Sequence, residues 1–226
     1  MSHRFDAGQY PDVAEHGSLA AALNARMAAA GSPHRFVSPQ TPTGLVEAVV
    51  SEGGEGGAGV FVNTGVDGYA VRFSRQNWVW AVGATPDKHR IVGAALSWLG
   101  GTGLAQLASD WDFIKVTELQ LSYERGDAVE TQWEILLRDE ESNYRDLVVS
   151  ASLNPDVRRH FPVLGHNFLL MESEFSSDFL ASVLRVGPGK YRLYVPEADE
   201  PLLQGGGDEV VARLARRLGS QGSATA

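Results

Sequence analysis

The chain has 226 residues, 43% of them hydrophobic and 21% charged, the composition of a soluble globular protein of one domain or at most two. It contains no cysteine, which excludes a disulfide framework, a thiol nucleophile, cysteine-ligated zinc and iron–sulfur clusters. Nineteen Lys and Arg stand against 28 Asp and Glu, a formal net charge of −9, which argues against nucleic acid or an anionic membrane as partner.

Residues 1–13 are polar and lack a basic run followed by an apolar core, so a flexible N-terminus without a signal peptide is predicted, and with it a cytoplasmic location. Residues 18–30 (SLAAALNARMAAA) are strong helix formers between a Ser cap and Gly31, and predict a helix. Residues 45–50, 59–63, 69–74 and 78–84 are short β-branched or aromatic runs separated by Gly, Asp and Asn, which reads as an antiparallel meander. Between the first two, SEGGEGGAG at 51–59 is predicted to be a mobile loop. Tyr69, Val71 and Phe73 alternate onto one face, as do Trp78, Trp80 and Val82, and that face is expected to be core.

From Asp87 the period lengthens. Ile91, Ala94, Ala95 and Leu99 fall at helical spacing, Pro86 suits the first turn, and Gly100-Gly101 ends the helix. A short helix over 104–109 leads to Trp111. Further helices are predicted over 128–137, opened by Asp127, and over 144–153, opened by Ser142 or Asn143. Strand-like alternation returns at 168–172, 182–186 and 191–195, with Gly187-Pro188-Gly189-Lys190 as a turn. Residues 209–218 close the fold as a helix before a disordered tail at 219–226. No internal repeat is evident, and no apolar run approaches the roughly 18 residues of a membrane span. The order predicts an α+β fold, in which antiparallel sheet from the N-terminal meander and the C-terminal strands packs with a central helical third and a C-terminal helix. One domain is expected over 14–218.

Catalytic signatures are scarce. The glycine run has no P-loop ending, and no G-x-S-x-G occurs. The six histidines form no HExxH or H-x-H pair, so neither a metal nor a cofactor is expected. His160 and His166 flank a five-residue segment and would converge only across a tight turn, with Glu172 or Glu174 supplying oxygen; histidines at strand ends more often satisfy backbone groups. Glu124-Arg125 before Gly126 is read either as an ion pair fixing a corner, which is favoured, or as an acid–base element.

Charge is more informative. From Asp110 to Asp146 eleven acids face four bases, a net of −7, and include Asp110, Asp112 and Glu118. Such a run is either a solvated helical face or a surface that steers a basic peptide or protein. Trp98 and Trp133 fall in helical periods with apolar neighbours and read as core, although Trp133 is also kept as a candidate for binding. Trp111, between two acids, is the ambiguous indole.

Trp98 to Leu107 with Phe113, the Glu124-Arg125-Gly126 corner, Trp133, the Asn154-Pro155 and Arg159 stretch ending in Phe161-Pro162, and His166 before a strand give the chain a likeness to a known family. Over residues 86–196 it resembles an actinobacterial family of domains of unknown function described as natural product biosynthesis proteins. Its one departure is the acidic stretch ESEFSSDFL at 172–180. The resemblance implies an accessory protein that binds or presents a peptide, most simply a ribosomal one, to modifying enzymes, with Trp111, Asp110, Asp112, Glu118, Trp133 and Arg159 as the binding candidates. A cofactorless cyclase or lyase using Glu124, Arg125, His160 and His166 is the second expectation. An immunity-type protein that covers a basic toxin with its acidic face is the third.

Overall fold

Tyr69, Val71 and Phe73 point to one side of their strand and are buried there, which fixes the inner face of the first sheet. In the computed structural model, which describes residues 10–38, 47–52, 56–62, 68–75, 78–173 and 175–222, the chain divides into two compact units, 1–124 and 125–226. Length alone suggests one domain over 14–218. The chain instead builds two hydrophobic clusters, each confined to one side of that boundary. The fold is α+β with antiparallel sheets.

The first unit opens with α1 (Pro11–His16) and α2 (Leu19–Ala29). Ser18 Oγ accepts from the Ala21 N–H at 3.1 Å, which caps α2. Gly31 ends it at φ 69°, a conformation that disfavours a side chain. The strands β1 (Glu47–Glu52), β2 (Gly56–Val62), β3 (Tyr69–Arg75) and β4 (Trp78–Thr85) follow as a meander, then α3 (Lys88–Leu99), α4 (Leu104–Asp110), β5 (Ile114–Lys115) and α5 (Glu118–Arg125). The sheet order is β1-β2-β3-β4-β5. Asp87 caps α3 by accepting from the His89 N–H at 2.8 Å, and Ile91, Ala94, Ala95 and Trp98 of α3 are buried in the same cluster as the inner sheet residues.

The second unit runs from helices through a five-stranded meander to a closing helix. Its elements are α6 (Ala128–Arg138), α7 (Arg145–Ser152), α8 (Pro155–Arg158), β6 (Phe161–Leu164), β7 (Phe168–Met171), β8 (Phe179–Gly187), β9 (Lys190–Tyr194), β10 (Leu203–Gly205) and α9 (Gly207–Gly222). The strands order as β10-β9-β8-β7-β6. Trp133, Leu147, Val148, Phe168, Leu170, Val183, Leu193, Val210 and Leu214 form its core.

Several expectations need correction. Residues 51–52 and 56–59 are strand, not mobile loop: Ser51 pairs with Gly57, Glu52 with Gly56 and Val49 with Gly59 in an antiparallel ladder that suits small residues. Only 53–55 of that segment lie outside the described residues. The flexible N-terminus expected over 1–13 is, from residue 10, part of the core, with Tyr10 and Val13 buried and the Tyr10 hydroxyl donating to Gly68 O at 3.0 Å; residues 1–9 lie outside the described residues. The tail expected from 219 remains helical to Gly222, and 223–226 are outside. The strand expected over 45–50 starts at Glu47, with 45–46 outside.

The largest correction concerns β4. Its buried residues are Ala81 and Thr85; of the three expected in the core, Trp80 is half-buried against the core cluster, whereas Trp78 and Val82 are exposed. Phe73 pairs with Ala81, Val71 with Gly83 and Tyr69 with Thr85, and the register shifts at Phe73/Ser74. Bulky residues of β3 and α3 fill the inner layer, so the β4 positions beside them must be small. Val79 and Val82, paired with Ser74 and Arg72, lie on the other side of the strand and are exposed.

Replacing Trp98 by Ala is expected to destabilise the protein by about 3–5 kcal/mol, because a fully enclosed indole is lost. Ser18→Ala should cost about 1 kcal/mol through the lost cap. Urea unfolding followed by circular dichroism measures both.

Candidate functional site

The residues singled out in the sequence are mostly committed to structure. Both carboxylate oxygens of Glu124 accept from the Leu104 N–H at 2.9 Å. Leu104 is the first residue of α4, and its N-cap, Gly103, has no side chain to offer; a Cβ at Gly103 would stand 3.3 Å from Glu124 Oε2. Glu124 is therefore the cap that Gly103 cannot be. Arg125 pairs with Asp127 instead, Nε to Oδ2 at 3.1 Å, in an exposed position. The expected corner is present, but each member has its own partner.

His160 and His166 do not converge. They sit at opposite ends of β6, four residues of extended strand apart, a span of roughly 13 Å. His166 is exposed, and its carbonyl accepts from the Tyr144 hydroxyl at 2.9 Å. His160 Nε2 accepts from Arg159 Nε at 3.2 Å, which requires that nitrogen to be unprotonated. Burial is the main cause that pushes the His160 pKa below its ordinary value, and the adjacent Arg159 charge adds to it; the Glu172 backbone and carboxylate and the Asp156 carboxylate act the other way. No group of three or more His, Asp or Glu that could hold a metal occurs among the described residues.

The binding candidates fare unequally. Trp133 is 0% exposed, its indole N–H shared between the carbonyls of Arg158 at 2.8 Å and His160 at 3.1 Å. It joins α6 to the turn after α8 and offers no surface to a partner. Trp111 is half-buried, donates to Ser97 Oγ at 3.3 Å and lies against Gly93, with Phe113 edge-on at 6.2 Å. Asp112 pairs with Arg90, and Asp110 accepts from Gln106 Nε2 at 2.6 Å. Glu118 is exposed in the first turn of α5. Arg159 is exposed beside an open cleft of about 530 Å³ lined with Val129, Glu130, Pro155 and Arg158, where Arg158 holds Glu130 in an ion pair that lowers the Glu130 pKa.

The acidic run is thus partly neutralised. Asp112, Asp127 and Glu130 have arginine partners, Glu124 caps a helix, and Asp146 accepts from the Tyr191 hydroxyl. Burial and that carboxylate push the Tyr191 pKa up.

What the sequence reading missed is a set of exposed apolar residues on β4. Trp78, Val79 and Val82 are 49%, 44% and 48% exposed. Val82 pairs with Arg72, which pairs with Gly59, and the Arg72 guanidinium lies over the Phe61 ring at 4.6 Å. Trp80 is half-buried, edge-on to Tyr123 at 5.4 Å, and donates to Arg75 O at 3.1 Å. Beyond β4 the ladder continues, among the described residues, at Val82 and Gly83, which pair with Lys115 and Ile114. Gln120 Nε2 donates to Val79 O at 3.2 Å, a side chain standing where a further strand would bond. The W-V-W-A-V pattern is apolar on both faces, so periodicity alone could not say which face was in.

No family model, no curated protein and no solved structure matches this chain.

The His160 arrangement gives a pH dependence. Its folded pKa lies below the unfolded value near 6.5, so the unfolded state binds more protons over the window from there downward. Stability should fall as pH drops from about 6.5 toward the folded pKa and level off below it. Urea unfolding between pH 5 and 7.5 should show a smaller loss for His160→Gln than for the native chain. Glu124→Ala should cost about 1–2 kcal/mol through loss of the α4 cap, and Glu124→Gln less, both read in the same assay.

Proposed function

We propose that the protein is a polypeptide-binding accessory module, which holds an extended segment against the exposed side chains of β4. The observation that carries this reading is the exposure of Trp78, Val79 and Val82 together on one strand. Large apolar side chains gathered in water mark an interaction surface. Glu124 caps a helix, Trp133 bonds backbone carbonyls and His160 accepts from the Arg159 side chain, which favours binding over catalysis by those groups. The resemblance to natural product biosynthesis proteins makes a peptide of such a pathway the first client to try.

Calorimetric titration with the peptide encoded beside this gene, at low and high salt and followed by mass analysis, tests the reading. Binding with unchanged peptide mass is expected, weakened about tenfold or more by Val82→Asp and only modestly by salt. Steep salt dependence with an unaffected Val82→Asp variant would move the interface to the acidic run. A changed mass would make the protein an enzyme.

A further inference from the structure

Arg26, Ala29 and Ala30 recur at i, i+3 and i+4 along α2, and His89, Val92, Gly93 and Leu96 at i, i+3, i+4 and i+7 along α3, so each set shares one helix face. The two faces form the walls of a cleft of about 280 Å³ within the first unit. Its floor is apolar. Val92 is buried, Gly93 and Leu96 are half-buried, and the Trp111 ring lies so close to Gly93 that a Cβ there would stand 2.3 Å from it. Glycine is needed at 93 to seat that ring.

Two basic side chains stand on the walls, one from each helix. Arg26 and His89 are both exposed, and among the described residues neither side chain makes a hydrogen bond or ion pair. Other arginines are tied to acids, as in Arg90–Asp112, Arg158–Glu130 and Arg217–Glu197. Arg26 and His89 therefore place two basic groups without acid partners at an apolar floor. Their chemistry suits a ligand that carries a negative, planar oxygen pair at one end and hydrocarbon at the other. The volume sits at the lower end of small-molecule sites.

We propose that this cleft binds a small carboxylate with an apolar tail. The carboxylate lies between Arg26 and His89, and the tail covers Val92, Gly93 and Leu96. The site is separate from the β4 face and does not depend on it.

The test is a titration of the full ¹⁵N-labelled chain with sodium octanoate, followed by amide shifts. Saturable shifts centred on Val92, Gly93 and Leu96 are expected, with Arg26→Gln and His89→Gln each weakening binding by about tenfold. Acetate, which has the charge without the tail, and 1-octanol, which has the tail without the charge, should each bind at least about tenfold more weakly. Both variants replace exposed side chains, and Leu96→Asp provides a second probe from the floor, which should abolish the shifts. Absence of saturation, shifts centred on β4, variants that bind as the native chain does, or octanol binding as tightly as octanoate would each overturn the assignment.

Discussion

The structure of the first unit depends on one packing constraint: the inner layer between α3 and the sheet is filled from β3 and α3, not from β4. Phe73 and Trp98 meet with ring centroids 5.9 Å apart, and Val60, Val71 and Ile91 are buried with them. Space in such a layer is finite, so the β4 positions in register, Ala81 and Gly83, are small. Gly83 is further confined by β5, since a Cβ there would stand 2.8 Å from Phe113 O. The β4 valines therefore lie on the other side of the strand, paired with Ser74 and Arg72, and the exposure of Val79 and Val82 follows from how the core is filled.

The same economy governs the polar residues. Helix α4 begins at a glycine and borrows its cap from Glu124 twenty residues on. Trp133 ties together two carbonyls where α8 turns into β6. These contacts satisfy backbone groups that would otherwise be buried without partners. They also consume side chains that look like chemistry in the sequence, and they leave the acidic run from Asp110 to Asp146 less negative at its surface than its composition implies.

Much of the fold was legible in the sequence where a physical signal is local. Ser18 with Gly31 bounds α2 and Gly100-Gly101 ends α3, because caps and left-handed turns are written in single residues, whereas Pro86, expected in the first turn of α3, stands before its Asp87 cap. The β3–β4 hairpin and the meander were legible from alternation. The face of β4 was not, because a strand apolar on both sides is decided by the volumes of its neighbours. Strand β2 was cut short in the reading because glycines at 56, 57 and 59 resemble a loop, whereas here they pair closely with β1 and β3. The partner of Glu124 was hidden for a similar reason: the 20-residue separation leaves no local pattern. The cleft between α2 and α3 had a trace in the spacing of Arg26, Ala29 and Ala30, but only tertiary packing sets it opposite His89.

The central claim is that the exposed Trp78, Val79 and Val82 of β4 bind a polypeptide. Amide hydrogen exchange of the full chain, with and without a bound client peptide, tests it most directly. The account predicts slowed exchange from Trp78 to Val82 with little change across 127–146. Protection confined to 127–146, with β4 exchanging as in the free protein, would contradict it.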